Sequence, residues 1–124
     1  MSRRWWRRLA ADETGMVTVE AAYALSALAV FVVLSVAAIG GVAAQLRCTD
    51  AAREVARLAA AGDPAATRVG AQVAPKGARI EVRTEGDRVV ATVVAKVPLL
   101  AMLDVSARSV AAREPTGVEQ SDPG

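Results

Sequence analysis

Residues 16–46 read MVTVEAAYALSALAVFVVLSVAAIGGVAAQL, and this stretch decides the architecture. Its only charged residue is Glu20, and the 26 residues from Ala21 to Leu46 carry no charge at all. As an α-helix such a run extends about 39 Å, whereas about 20 apolar residues already cross the hydrocarbon core of a bilayer. The composition predicts one membrane-spanning helix over 16–46. The alternative, a buried core helix, fails on size: Arg47 to Gly124 is too short a remainder to enclose so long an apolar rod.

On the N-terminal side stand Arg3, Arg4, Arg7 and Arg8, followed by Asp12 and Glu13. Residues 1–15 therefore form a basic leader. Arginines flanking a span stay cytoplasmic, so residues 47 onward are expected outside the cytoplasm. An ordinary secretory signal is a weaker reading, because the apolar run far exceeds the usual h-region of about 7–15 residues. Gly41 and Ala43 would make a poor cleavage site for it. The pair Arg3-Arg4 superficially matches a twin-arginine signal, but the long span argues against one. Arg47 stands where a lipoprotein anchor at Cys48 would require a small residue.

The whole chain has 124 residues, 15 Lys and Arg against 13 Asp and Glu, a net charge of +2, 53% hydrophobic residues and 3% aromatics. It has one Cys and no His. A disulfide framework within one chain is therefore excluded, as are His-based metal sites and His-dependent triads. So weak a charge with so few stacking aromatics argues against nucleic-acid binding. The acids lie scattered along charged faces, with no paired carboxylates, no Gly-rich phosphate loop and no metal-ligand cluster. No enzyme, cofactor or small-molecule substrate is expected.

Glu20 is the informative residue. A carboxylate within a span costs roughly 2.5 kcal/mol or more at the centre and less toward the interface, and it usually has a partner. One reading has Glu20 marking the interface and meeting lipid head groups. The other begins at Gly15. If the chain were cut between Gly15 and Met16, Glu20 would become the fifth residue of the mature protein. The new α-ammonium on Met16 would then lie one helical turn from a carboxylate. In a filament, the carboxylate of one subunit could pair with the amine of its neighbour, neutralising both and setting an axial register.

The run Glu13-Thr14-Gly15-Met16-Val17-Thr18-Val19-Glu20 resembles the processing signal of type IV pilins and pseudopilins. The segment Ala43 to Glu54 and the C-terminal hairpin followed by Val105-Ser106-Ala107-Arg108 resemble the TadE-like minor pilins of the Tad (tight adherence) system. The resemblance covers residues from about Arg8 to Glu114. It implies cleavage by a membrane-embedded prepilin peptidase, an aspartic protease acting on the cytoplasmic side. It further implies membership in, or assistance of, a thin pilus together with other pilins or Tad assembly proteins. Gly15 would be the last leader residue, Met16 the mature N-terminus and Glu20 the recognition and registry residue. Two departures favour a minor pilin or pseudopilin over the main subunit. Ala21 and Ala22 intervene before Tyr23, where major Tad pilins place Tyr directly after the Glu, and the chain is longer than those subunits. The alternative is an unprocessed single-pass accessory subunit of a secretion or envelope complex.

Within the span, Ala22 and Ser26, Ala37 and Gly41, and Gly40 and Ala44 form small-x3-small pairs that let helices approach closely in lipid. Gly40-Gly41 is a candidate hinge, since each mid-helix Gly costs about 1 kcal/mol relative to Ala. Beyond Leu46 the helix should continue as an amphipathic one, with Arg47, Asp50, Arg53, Glu54 and Arg57 on one arc and Cys48, Ala52, Val55 and Ala59 opposite. Cys48 reads as a small core residue, with an intermolecular disulfide as the minority reading. Gly62 suits the C′ position of the helix. Asp63 and Pro64 suit the N-cap and first turn of a second helix reaching about Ala74.

The remainder predicts strands. Arg79 to Arg83 alternates, Arg88 to Val97 is β-branched, and a two-residue Gly86-Asp87 turn joins them. That register sets Ile80 against Val93, Val82 against Ala91, Glu81 against Thr92 and Glu85 against Arg88. Pro98 to Leu103 reads as a helical or looped connection that closes the core, with an exposed partner surface as the lesser reading. Val105 to Ala112 reads as a third strand. The expected fold is α+β: a long N-terminal helix, first membrane-spanning and then amphipathic, packed on a small antiparallel sheet of about three strands. Its parts are the leader (1–15), the span (16–46), an extracytoplasmic domain (47–113) and a polar tail (114–124) that should be disordered.

Overall fold

The computed structural model describes residues 3–115, with side chains from residue 15 onward. The elements are α1 (Arg3–Ala60), α2 (Ala66–Val73), β1 (Arg79–Glu85), β2 (Arg88–Val97) and β3 (Leu100–Ala112). The α+β fold with a long N-terminal helix and a three-stranded antiparallel sheet is observed, in the strand order β1-β2-β3. The chain forms two compact units, Met1–Val36 and Ala37–Gly124, and α1 contributes to both.

In the first unit every described side chain from Gly15 to Leu34 is exposed. Met16, Tyr23, Leu25 and Phe31 are among the most exposed. Hydroxyls on this apolar rod donate to the helix's own carbonyls: Thr18 to Gly15 O at 2.8 Å, Ser26 to Ala22 O at 2.7 Å and Ser35 to Phe31 O at 2.8 Å. Such back-bonding is what a hydroxyl needs where no water is at hand. The described part of the helix, Gly15–Ala60, is long and apolar enough to cross a membrane. Only 11% of its most apolar window is buried within the chain, so that window is not part of a core.

The second unit is built on the C-terminal part of α1. Ala37, Ala44, Cys48, Ala51, Ala52, Val55, Ala56 and Ala60 are buried at helical spacing, while Arg47, Asp50, Arg53 and Arg57 are exposed. The buried face is almost wholly small, which brings the sheet close to the helix axis. Cys48, Ala51 and Ala52 meet Val93 and Ala95 of β2, and Val55 and Ala56 meet Ala91. The central strand thus runs antiparallel to α1. Val55, Val93 and Cys48 are the largest side chains wholly enclosed.

Two glycines end elements as their sequence context predicts. Gly62 (φ 76°) stands at C′ of α1: its N–H donates to Ala59 O at 3.1 Å and that of Asp63 to Leu58 O at 2.9 Å, a Schellman cap. Gly86 (φ 61°) opens the two-residue turn of the first hairpin, the position that a type II′ turn reserves for Gly. The register of that hairpin is the predicted one at all four pairs, from Ile80 with Val93 to Glu85 with Arg88.

Two expectations are corrected. The second helix starts at Ala66, after a turn, and Asp63 does not cap it. The Asp63 carboxylate instead accepts from the Ala65 N–H at 2.8 Å, a local turn that competes with the helix. The third strand begins at Leu100, and Pro98-Leu99 is a tight turn joining it to β2. Pairing runs from Val97 with Leu100 directly to Lys96 with Asp104, so Ala101, Met102 and Leu103 bulge from the ladder. Leu99 to Leu103 are exposed, so they do not close the core. The expected tail begins at Glu114, whose N–H donates to Ala60 O at 3.1 Å; residues 116–124 lie outside the described residues.

Candidate functional site

The sequence points to a site at the head of the apolar run, where Gly15, Met16, Val19, Glu20 and Tyr23 share one face of α1 around a shallow apolar depression. The spacing of these residues is helical, so the face is a property of α1 itself. The peptide between Gly15 and Met16 lies inside the continuous helix, and the Thr18 hydroxyl donates to the Gly15 carbonyl at 2.8 Å. A Cβ at Gly15 would meet no described atom within 4 Å. Packing within the described chain therefore does not require a glycine here.

Glu20 is exposed, and the described residues give it no hydrogen bond or ion pair. The arrangement is a carboxylate presented on an otherwise apolar rod, with Met16 and Tyr23 beside it. It can accept hydrogen bonds or receive a cation from outside the chain. Arg3, Arg4, Arg7 and Arg8 fall within the range of α1, but their side chains lie outside the described residues.

Gly40 and Gly41 lie in unbroken helix. They are not equivalent. A Cβ on Gly40 would meet nothing within 4 Å, whereas one on Gly41 would stand 3.6 Å from Val97 Cγ1. Nearby, the Gln45 amide donates to Ser106 O at 3.0 Å, tying the helix to β3. Cys48 is free and wholly buried, and burial raises its thiol above the ordinary value of 9.0. On the charged face, Arg57 donates to Glu54 at 2.7 Å, and this hydrogen bond holds the Glu54 carboxyl below its ordinary value.

Sequence reasoning missed two residues. Gly70 of α2 is buried against Val55 and Ile80, and a Cβ there would collide with Val55 Cγ2. A Gly inside a helical pattern was the available signal, because its propensity cost implies a packing reason. Leu99 has φ 68°, a left-handed conformation rare for a branched side chain, yet its side chain is 75% exposed. The dipeptide Pro98-Leu99 gave no sign of it, since that turn type usually carries Gly at its second position. Among the described residues no group of three His, Cys, Asp or Glu side chains is arranged to hold a metal ion.

No protein-family model and no solved structure matches the chain. A curated protein of Mycobacterium tuberculosis (strain ATCC 25618 / H37Rv), named apoptosis inhibitor Rv3655c, is 47% identical over 97 residues. The match spans 77% of this chain and 78% of that protein. Identity at that level over so much of both chains is common descent, and the chain belongs to the family of the Mycobacterium tuberculosis protein Rv3655c.

Proposed function

We propose that this protein is a non-enzymatic minor pilin or pseudopilin of a Tad-type pilus. In this reading a prepilin peptidase cleaves it between Gly15 and Met16, and it then takes part in pilus assembly. The observation that carries the reading is Glu20, a carboxylate exposed at the head of an apolar helix that the chain itself leaves bare. A rod of this kind needs lipid before assembly and neighbouring helices after it. The carboxylate then pairs with the α-ammonium of a neighbour's Met16, which neutralises both charges in a dry setting. The N-terminus is cytoplasmic, held by Arg3, Arg4, Arg7 and Arg8, and residues from Arg47 onward are extracytoplasmic. The partners are the membrane, the peptidase and other pilins or Tad assembly proteins.

Mass measurement on the membrane form tests cleavage. A mature protein beginning at Met16 is expected when a prepilin peptidase is co-expressed, and the intact chain when it is absent. An unprocessed chain in both settings would overturn the reading in favour of a single-pass accessory subunit. Gly15→Ile should abolish cleavage without altering the circular dichroism of the protein, because the space beside Gly15 is open. Glu20→Ala should leave the fold intact and abolish incorporation into surface filaments. Unchanged assembly of Glu20→Ala would favour the accessory-subunit alternative.

A further inference from the structure

The turn between β2 and β3 is apolar where a turn is usually polar. From Val97 to Leu103 the chain carries no charge. Met102 is 98% exposed, Leu99 75% and Leu103 55%. Leu99 holds a positive φ of 68°, a left-handed conformation that a non-glycine residue adopts only at a cost. No burial of its own side chain offsets that cost within the chain. Strain retained for an exposed apolar residue points to something outside the chain that rewards it.

The position of the turn says what that is. Along β2, Ala91 lies against Val55 and Ala56, and Val93 and Ala95 lie against Cys48, Ala51 and Ala52. Val97 Cγ1 lies against Gly41. Each step along β2 thus moves back along α1, and the turn that follows Val97 overhangs the helix at Gly41 and beyond, within its uncharged run. The charge boundaries coincide as well. Reading outward from the turn, the first charges of the hairpin are Lys96 and Asp104, which face each other in the ladder. The first charge on the helix is Arg47. Strand and helix rises place these three within about one helical turn of the same level. On the helix face away from the hairpin, Ile39, Val42 and Leu46 are exposed at that level too.

We propose that Leu99–Leu103 is a membrane-inserting loop. It enters the acyl region beside the span, with Lys96, Asp104 and Arg47 at the head-group level. The occupant of this apolar surface is the lipid bilayer, because the loop continues, at matched depth, the apolar surface of a helix long enough to cross it. The loop and the adjoining apolar part of α1, residues 37–46, together give the second unit two points of attachment to the membrane. The proposal rests on the span being embedded and is independent of cleavage after Gly15.

The test uses the full chain in phosphatidylcholine–phosphatidylglycerol vesicles, with a nitrobenzoxadiazole fluorophore on a single cysteine in a Cys48→Ala background. Met102→Cys should give blue-shifted emission that acyl-chain spin-labelled phosphatidylcholine quenches. Phe31→Cys, in the span, should be quenched as well. Asp87→Cys, at the far end of β2, should emit as in water and stay unquenched. Unquenched, water-like emission at Met102 with quenching at Phe31 overturns the loop and leaves the span standing. Blue-shifted but unquenched emission at Met102 also overturns it, since protein would then be the cover. Quenching at Asp87 overturns the two-point attachment, and no quenching at Phe31 removes the span and the loop together. If Cys48→Ala fails to fold, retaining the buried Cys48 thiol, which labels slowly, gives the same comparison.

Discussion

Gly70 lacks a side chain where Val55 occupies the space that one would fill. Gly70→Ala gains about 1 kcal/mol of helix propensity and meets an overpacking cost of typically 1–3 kcal/mol. The side chain it would strike is β-branched and wholly enclosed, so the cost should win. A lowered thermal midpoint is expected, and in a Val55→Ala background the same change should become neutral or stabilising. Additive effects of the two substitutions would show that the contact does not limit the approach of α2 to α1. Cys48 makes a second residue-scale case. Burial raises its pKa in the folded protein, so the folded state holds the thiol proton more tightly than the unfolded state does. Its contribution is full below the unfolded value and is lost as pH rises from there through the folded one. The unfolding midpoint should fall as pH passes above 9, and Cys48→Ala should flatten that fall. In the folded protein a maleimide should leave the thiol unmodified until denaturant is added. Neither residue was equally legible in advance: Cys48 declared itself by lying opposite a charge stripe, whereas the constraint on Gly70 comes from a partner distant in sequence.

At the scale of elements, the first hairpin was legible because alternation and a Gly-Asp turn agree on one register, and a shift by one residue would send valines to the wet face. The second hairpin was not. Pro98 to Leu103 has no alternation, and an apolar run without period reads as core closure. The pairing instead resumes at Leu100 and sheds three residues as a bulge. The start of α2 escaped for a similar reason, since Asp63 serves either a cap or a local turn and only the backbone decides between them. The strained turn also yields a prediction about the element alone. Leu99→Asn should stabilise the protein in detergent by about 1 kcal/mol, because Asn tolerates a positive φ. Chemical denaturation of both forms measures it. A loss of stability on Leu99→Asn would mean that the leucine side chain stabilises the turn by contacts of its own. At the start of the apolar run both the spacing of Gly15 and Glu20 and the exposure were legible, since the remainder of the chain is too short to enclose that run.

For the whole molecule, charge segregation was the legible feature and the thinness of the core was the hidden one. The sequence separates a basic stretch (1–15), a run without charge (Ala21 to Leu46) and a remainder of nearly balanced charge. It marks Cys48, Ala52 and Val55 as the side of α1 that meets the sheet, but not their partners along β2, which required the coincidence of two periodicities, one along α1 and one along β2, in a core built largely of alanines. That core has an optical consequence. The chain contains two tryptophans, one tyrosine and one phenylalanine, and these are Trp5, Trp6, Tyr23 and Phe31. The second unit therefore has no aromatic chromophore, and its unfolding is invisible to intrinsic fluorescence and near-ultraviolet absorbance. Both tryptophans, by contrast, stand ahead of Gly15. Cleavage between Gly15 and Met16 should abolish all tryptophan emission from the membrane-bound protein, so the chain would carry its own label-free reporter of processing. Tryptophan emission persisting in a purified mature form would place the cut upstream of Trp6, or show that there is none.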